Sequence, residues 1–258
     1  MINALLVSNR KLFFTLSFLG FVGVGSILAF IPMLLEVSLI QDIPLTASQL
    51  QLVSALQTGL MVVLMSWLGC KFANRVNLHA PIIEAVLNKN NFQHKLIKAI
   101  QPTLVGGILG GLLMVSFSFI SMPHLPVEFV KIGEQLNPSW YTRLLYGGIT
   151  EEILIRWGMM SFLVWLMYKF IQKNNEEVSS KYFIIAIVMT SILFGIGHLP
   201  VINLLGAEMT LALVSYIIIA NSLFGFIAGW LFWKYGLESA IAAHMIAHIV
   251  MMSVSLLG

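Results

Sequence analysis

Six side chains that can hold or move a proton lie in stretches of the sequence that are otherwise apolar. They are two adjacent glutamates, an arginine and three histidines: Glu151, Glu152, Arg156, His198, His244 and His248. A charged group at the centre of a bilayer costs about 2.5–3.5 kcal/mol on insertion scales, so such groups pair with one another or line a wet cavity. These six residues are therefore the candidate functional residues.

The spacing of these residues places them on defined helix faces. Glu152 and Arg156 are four residues apart with the glutamate first, which is the favourable order for an ion pair on a helix. Glu151 is rotated by about 100° from Glu152, so it is free to point into a cavity. His244 and His248 are also four apart, and their imidazoles share one helix face, as in metal sites and proton-handling sites.

The elements that must position these residues are membrane-spanning helices. Hydrophobic residues make up 59% of the chain, charged residues make up 10%, and the mean hydropathy is +0.92, which excludes a soluble globular domain. Since about 20 apolar residues cross a bilayer, the apolar runs predict seven spans. These spans lie near residues 12–35, 50–71, 99–121, 142–171, 182–199, 209–233 and 237–256.

The number of spans depends on residues that can interrupt a helix. Pro32, Pro102 and the glycines from Gly106 to Gly111 could split a span, which would make the number eight. We therefore expect an all-α fold, a polytopic transmembrane helical bundle of seven to eight spans. The chain is expected to form a single integral membrane domain over residues 1–258.

Lysine and arginine residues predict the orientation, because they prefer the cytoplasmic side. In a seven-span arrangement most of them fall on one side: Arg10, Lys11, Lys71, Arg75, Lys89, Lys95, Lys98, Lys169, Lys173, Lys181 and Lys234. Lys131 and Arg143 fall on the other side, together with acidic residues such as Asp42. The N-terminus is therefore expected in the cytoplasm, and the pI near 9.0 needs no nucleic acid as a partner. The polar insert over residues 73–98 is expected to hold an amphipathic helix at the membrane surface.

The two glycines before the glutamates predict an irregularity in the fourth span. As one helix, the run from Trp140 to Phe170 would be about 46 Å long at ~1.5 Å per residue, which exceeds the thickness of the hydrocarbon core. We therefore expect either a break or a close helix approach at Gly147 and Gly148.

Three segments, "EEILIR", "FGIGH" and "HMIAH", resemble motifs of a known family. They carry the candidate residues in order: Glu151, Glu152 and Arg156, then His198, then His244 and His248. The segments are similar to the ordered motifs Glu-Glu-x-x-x-Arg, Phe-x-x-x-His and His-x-x-x-Asn of the CAAX protease and bacteriocin-processing (CPBP, or Abi) intramembrane protease family. The likeness covers mainly residues 140–256, which we expect to be the core that bears the catalytic motifs.

The resemblance implies an intramembrane endopeptidase that hydrolyses a peptide bond of a membrane-associated protein or peptide with an activated water. Carried over to this chain, Glu151 would be the general base and His198 its partner in holding the water. His244 and His248 would bind water or stabilise the oxyanion of the tetrahedral intermediate. The ion pair of Glu152 would fix the geometry of the site.

His248 leaves the question of a metal open. The last motif of the family often ends in asparagine; a histidine can donate to an oxyanion as asparagine does, but it can also ligate a metal. Glu151, His198, His244 and His248 thus form a candidate zinc set. The family has been described both as metalloproteases and as glutamate-dependent proteases. Metal-independent or metal-optional chemistry is favoured here, with zinc as the alternative.

Two other functions remain open. Intramembrane Glu, His and Arg also build proton relays in transporters, although no inverted repeat is evident. A catalytically silent family member would instead bind a peptide, for example as an immunity protein. No serine is paired with a base, and neither is Cys70, which disfavours a covalent nucleophile.

The expected partners are membrane lipid and a peptide or protein substrate, without nucleic acid, and the expected location is a prokaryotic plasma membrane.

Overall fold

The protein is a bundle of α-helices. The structure, a computed structural model, describes residues 2–40, 45–172 and 177–256, and no strand occurs within these ranges. The helices are, in chain order, α1 (Ile2–Leu28), α2 (Ile31–Val37), α3 (Ala47–Phe72), α4 (Pro81–Leu87), α5 (Gln93–Ser121), α6 (Val127–Gln135), α7 (Trp140–Gln172), α8 (Ser180–Gly197), α9 (Leu199–Leu204), α10 (Leu211–Tyr235) and α11 (Leu237–Ser255). Short 3₁₀ turns follow α3 and α5.

Seven helical segments in the described part of the chain are long and apolar enough to cross a membrane. They are Asn9–Val37, Ala47–Val76, Gln93–His124, Trp140–Gln172, Ser180–Leu204, Leu211–Tyr235 and Leu237–Ser255. The predicted all-α polytopic bundle is therefore confirmed, with seven spans in the residues described. Two residues used for the predicted orientation, Asp42 and Lys173, lie outside the described residues.

The two prolines within spans act differently. α1 ends at Leu28, and Pro32 stands in the first turn of α2, where a missing N–H costs little because the first N–H groups of a helix have no partner inside it. α5, in contrast, continues through Pro102 without a break. Neither proline adds an eighth span, since α1 and α2 together form one apolar segment.

The glycines of α5 form a packing surface rather than a break. α5 lies along α10 and α11, and the missing side chains let the backbones come close. A Cβ on Gly111 would lie 2.8 Å from the Cβ of Val250 on α11, and one on Gly110 would lie 2.7 Å from Cδ2 of Phe224 on α10. Such close approach through small residues is typical of helix packing in membranes.

α7 lies at the centre of the bundle and packs against α1, α3, α8, α10 and α11. Its backbone is wound as π-helix over Arg143–Glu151 and Ile153–Met160. This wider winding is uncommon and is found most often at functional sites. α7 is continuous through Gly147 and Gly148, so of the two predicted alternatives the break is wrong.

The polar insert after α3 contains the expected helix, α4, which is tied to the start of α11. The N–H groups of Ile82 and Ile83 donate to Glu238 Oε1 at 2.9 and 2.7 Å. The N–H of Leu237 donates to the carbonyl of His79 at 3.1 Å. Gly236, with φ of 99°, makes the sharp turn from α10 to α11 that brings these groups together. This end of the bundle is opposite to the end where α8 reaches His198.

Candidate active site

Glu152, Arg156 and His244 form a buried charged cluster between α7 and α11. Glu152 and Arg156 are fully buried and His244 is nearly so. His244 Nδ1 lies 2.8 Å from Glu152 Oε1, and Arg156 Nε lies 3.3 Å from Glu152 Oε2. Because a carboxylate only accepts hydrogen bonds, Nδ1 of His244 carries the donated proton. The predicted pair of Glu152 and Arg156 is thus present, and His244 is a third member.

The guanidinium of Arg156 is held by several weak contacts. Its Nε is close to Glu152 Oε2 but is not aligned for a hydrogen bond, so this contact is an ion pair only. Nη2 donates to the carbonyl of Gly225 on α10 at 3.2 Å, and the guanidinium carbon lies 5.1 Å from the centre of the Phe194 ring. Arg156 therefore joins α7 to α8 and α10.

Glu151 and His198 face each other beside this cluster and, unlike it, keep some exposure. Glu151 Oε1 lies 3.8 Å from His198 Nε2, with 16% of the Glu151 side chain and 31% of the His198 side chain exposed. His198 Nδ1 lies 2.8 Å from the carbonyl of Phe194, so Nδ1 is the donor and a neutral His198 presents the Nε2 lone pair to Glu151. The distance is too long for a direct hydrogen bond and suits a group held between them.

The ring of Phe194 packs against two of the histidines, His198 and His244. It meets the ring of His198 edge to face at 4.8 Å and that of His244 at 6.2 Å. α8 ends at Gly197, and Pro200 stands in the first turn of α9, which leaves His198 at the junction of two helices. The phenylalanine and the histidine of "FGIGH" are therefore in direct contact, and the phenylalanine ring helps to orient the imidazole.

His248 lies one turn beyond His244 on α11 and stacks on it, with ring centres 4.8 Å apart and planes within 12° of parallel. Both ring nitrogens of His248 are buried without a hydrogen-bond partner. The ring rests against Gly147, where a Cβ would lie 2.5 Å from Nε2. The close approach predicted at the glycines is present, and its purpose is to admit this imidazole.

Two cavities meet at Glu151 and His198. The smaller, of about 200 Å³, is lined by Arg143, Glu151, Asn221, His198, His244 and His248 among others. The larger, of about 440 Å³, lies between α1, α3, α7 and α8 and is mostly apolar. Tyr146, Glu151, Phe194 and His198 line both. Four of the six candidate residues therefore line the smaller cavity: Glu151, His198, His244 and His248. Glu152 lies next to this wall, bonded to His244, and Arg156 is paired with Glu152 on the side away from the cavity.

Three polar residues at this site were not predicted from the sequence. Arg143 was predicted only to lie on the external side of the membrane; its Nε donates to the carbonyl of Pro138 at 3.1 Å and the residue lines the smaller cavity. Asn221 donates to the carbonyl of Ile217 at 2.8 Å and also lines this cavity, as does Tyr146. A lone amide within the apolar run of α10 was the available signal for Asn221.

The candidate zinc set of Glu151, His198, His244 and His248 is not assembled. In the described residues no group of three or more His, Cys, Asp or Glu side chains is arranged to hold a metal ion. An imidazole binds a metal through a lone pair in the plane of its ring, and the nearly parallel, stacked rings of His244 and His248 cannot aim two such lone pairs at one point. The zinc set predicted from spacing alone therefore does not fit.

The fold and the site together define an integral membrane protein of the helical class, with proton-handling groups buried among its spans. Residues 134–250 match the family model described as type II CAAX prenyl endopeptidase Rce1-like. This segment contains all six candidate residues, so the resemblance to the CPBP family is confirmed over these residues. No curated protein and no solved structure matches the chain.

Proposed function

We propose that the protein is an intramembrane endopeptidase that cleaves a membrane-associated protein or peptide by direct attack of water. The observation that carries this proposal is the 3.8 Å approach of Glu151 Oε1 and His198 Nε2 at the wall shared by the two cavities. Both atoms are hydrogen-bond acceptors when the carboxylate is ionised and the imidazole is neutral. They therefore suit a water molecule that donates one hydrogen to each.

A water held in this way is activated as a nucleophile. Its two hydrogens are engaged, so a lone pair of its oxygen is directed away from Glu151 and His198, toward a peptide carbonyl in the cavity. As the oxygen attacks the carbonyl carbon, its proton passes to Glu151, which acts as the general base. The product of this step is a tetrahedral intermediate with one negative oxygen.

The histidines of α11 are placed to stabilise that oxygen. His244 donates Nδ1–H to Glu152, so its other nitrogen, Nε2, can donate to the oxyanion only when His244 is an imidazolium, whose charge the Glu152 carboxylate balances. The nitrogens of His248 have no other partner. An N–H group aimed at a developing oxyanion in a dry site is worth more than in water, because little solvent competes with it.

Collapse of the intermediate completes the reaction. The C–N bond breaks, the proton held by Glu151 passes to the leaving nitrogen, and the products are a carboxylic acid and an amine. Glu152 and Arg156 take no direct part: Glu152 fixes the orientation of His244 through the 2.8 Å hydrogen bond that it accepts from Nδ1, and Arg156 is the counter-ion of Glu152. No step passes through a metal.

This function is tested with purified protein in liposomes and internally quenched peptides, prepared with and without an S-prenyl cysteine. We expect cleavage of at least one peptide, with two products whose masses sum to that of the peptide plus one water. Activity is expected to persist after treatment with a metal chelator. Loss of activity on chelation that is restored by zinc would contradict the metal-independent mechanism.

Replacement of His248 by asparagine is expected to preserve cleavage within about tenfold, because an amide can donate to the oxyanion as the imidazole does. Replacement by alanine removes the donor and is expected to lower the rate by a factor of about 10²–10³. Initial rates at saturating peptide give the comparison. Equal activity of the alanine and asparagine variants would show that His248 has no role as a donor.

The distribution of charge indicates the orientation of the enzyme. We propose that the N-terminus lies in the cytoplasm, since Arg10, Lys11, Lys71 and Arg75 lie at the ends of spans that share this side. A prokaryotic plasma membrane is proposed from the compact segments that join the spans. The partners would be membrane lipid and a peptide or protein substrate. In this orientation Glu151 and His198 lie in the external half of the membrane.

A further inference from the structure

A separate cavity of about 400 Å³ lies at the end of the bundle opposite to Glu151 and His198. Three lysines line it: Lys95 and Lys98 from the start of α5, and Lys234 from the end of α10. The remaining wall comes from the segment between α3 and α4, which includes Asn77 and His79, and from α4 itself. Cationic side chains from two helices thus line one concave surface.

The positive charge of this cavity is only partly neutralised. Glu84 is its one acidic lining residue, and it accepts a hydrogen bond from the N–H of Ala80 at 2.9 Å and lies 3.7 Å from His79 Nδ1. Burial alone would raise the pKa of Glu84, but these two contacts and the charge of Lys95 hold it below its usual value. Glu84 is therefore ionised, and its single negative charge offsets only part of the positive charge of the three lysines.

None of these three lysines forms an ion pair with another group in the described ranges of the chain. Lys95 and Lys98 are exposed, and Lys234 Nζ lies 3.4 Å from the centre of the Trp233 ring. An ammonium group over the face of a tryptophan still has the N–H donors on its other side free for a ligand. The three ammonium groups are therefore available to an anion from outside the chain.

The cavity lies at the level where lipid headgroups meet the hydrocarbon core. α5 begins two residues before Lys95, and α10 ends one residue after Lys234. Trp233 and Tyr235 line the cavity, and such aromatic residues are typical of the membrane interface. Below the lysines, on the same face of α5 as Lys98, the side chains of Val105, Leu109 and Leu112 are exposed, which gives an apolar surface for an acyl chain.

We propose that this cavity binds the phosphate-bearing headgroup of an anionic phospholipid, with its chains against the exposed face of α5. Lysine ammonium groups at a membrane surface attract anionic lipid, and basic pockets between transmembrane helices bind anionic headgroups. The chemistry is that of a phosphate group, and the apolar face of α5 favours a lipid over free phosphate as its source. This binding does not depend on the proposed peptidase activity.

The test is native mass spectrometry of delipidated full-length protein with short-chain phosphatidylglycerol. We expect one tightly bound phosphatidylglycerol, with affinity about tenfold or more above that for phosphatidylcholine. The triple variant Lys95→Gln, Lys98→Gln, Lys234→Gln is expected to bind phosphatidylglycerol about tenfold or more weakly than the wild type. All three side chains are exposed, so the variant is expected to fold, which its thermal melting in detergent checks.

A matched triple variant, Lys89→Gln, Lys169→Gln, Lys181→Gln, removes the same charge from exposed lysines outside the cavity. It is expected to bind phosphatidylglycerol as the wild type does. Equal losses in the two variants, or none in either, would overturn the proposal. Inorganic phosphate is added in a further arm: failure to displace the lipid at matched concentration is the expected result, and full displacement would assign the cavity to the free anion instead.

Discussion

Replacement of Glu151 by glutamine is expected to lower the rate of peptide cleavage by a factor of about 10²–10⁴, because an amide of the same shape cannot accept the proton of the attacking water. The side chain faces His198 Nε2 at 3.8 Å and lines both cavities, and no other carboxylate in the described part of the chain lines either cavity. The measurement is the initial rate with the quenched peptide in liposomes, together with the melting temperature to show that the variant is folded.

Replacement of His198 by alanine is expected to give a loss of similar size, and the double variant should be little slower than either single variant. Non-additive losses are typical of residues that act as a unit. Glu128→Gln is the matched control, since this residue lies at the start of α6, away from both cavities. Cleavage that persists in both Glu151 and His198 variants would refute the mechanism. Proton flux in liposomes that is lost with Glu151→Gln would favour transport.

Replacement of Glu152 by alanine is expected to destabilise the fold by about 3–5 kcal/mol, because it leaves the fully buried Arg156 without its counter-ion. His244 would at the same time lose the acceptor for its Nδ1 proton. The measurement is reversible unfolding in mixed detergent micelles, or thermal melting where unfolding is irreversible. Activity should also fall, since His244 is no longer oriented.

The control for this variant removes the whole ion pair. The double variant Glu152→Leu, Arg156→Met replaces two buried charges by apolar side chains of roughly similar volume and is expected to recover most of the lost stability. It should not recover activity, because His244 still lacks its acceptor. A single Glu152→Ala variant as stable as the wild type would mean that the cluster is not desolvated as the structure describes it.

Local spacing predicted the parts of the site that lie on one helix. Glu152 and Arg156, four residues apart, do pair, and Glu151 does point away from them to a cavity. The hydrogen bond that His244 donates to Glu152, in contrast, joins residues 92 positions apart. The periodicity of each helix does not specify which other helices lie next to it. Such contacts depend on the packing order of the spans, which apolar runs do not encode.

Two features of the site could not be read from the sequence. Arg143 was considered only for its side of the membrane, because the positive-inside rule uses only the distance from the end of a span; in the structure it donates to the carbonyl of Pro138 and lines the smaller cavity. His244 and His248 do share a helix face, as their spacing predicted, but their rings stack nearly parallel, an arrangement that does not suit two ligands of one metal ion and that spacing along a helix does not specify.

The buried cluster around Arg156 also constrains the order in which this protein can be made. Arg156 and Glu152 enter the membrane with α7, but the Gly225 carbonyl that receives Arg156 is 69 residues further along the chain, and His244 lies 92 residues after Glu152. At about 5–20 residues per second, the last of these partners is synthesised roughly 5–20 s after α7. During synthesis α7 must remain beside the insertion machinery or α1 and α3, and it can leave for the lipid only after the last two helices have been made.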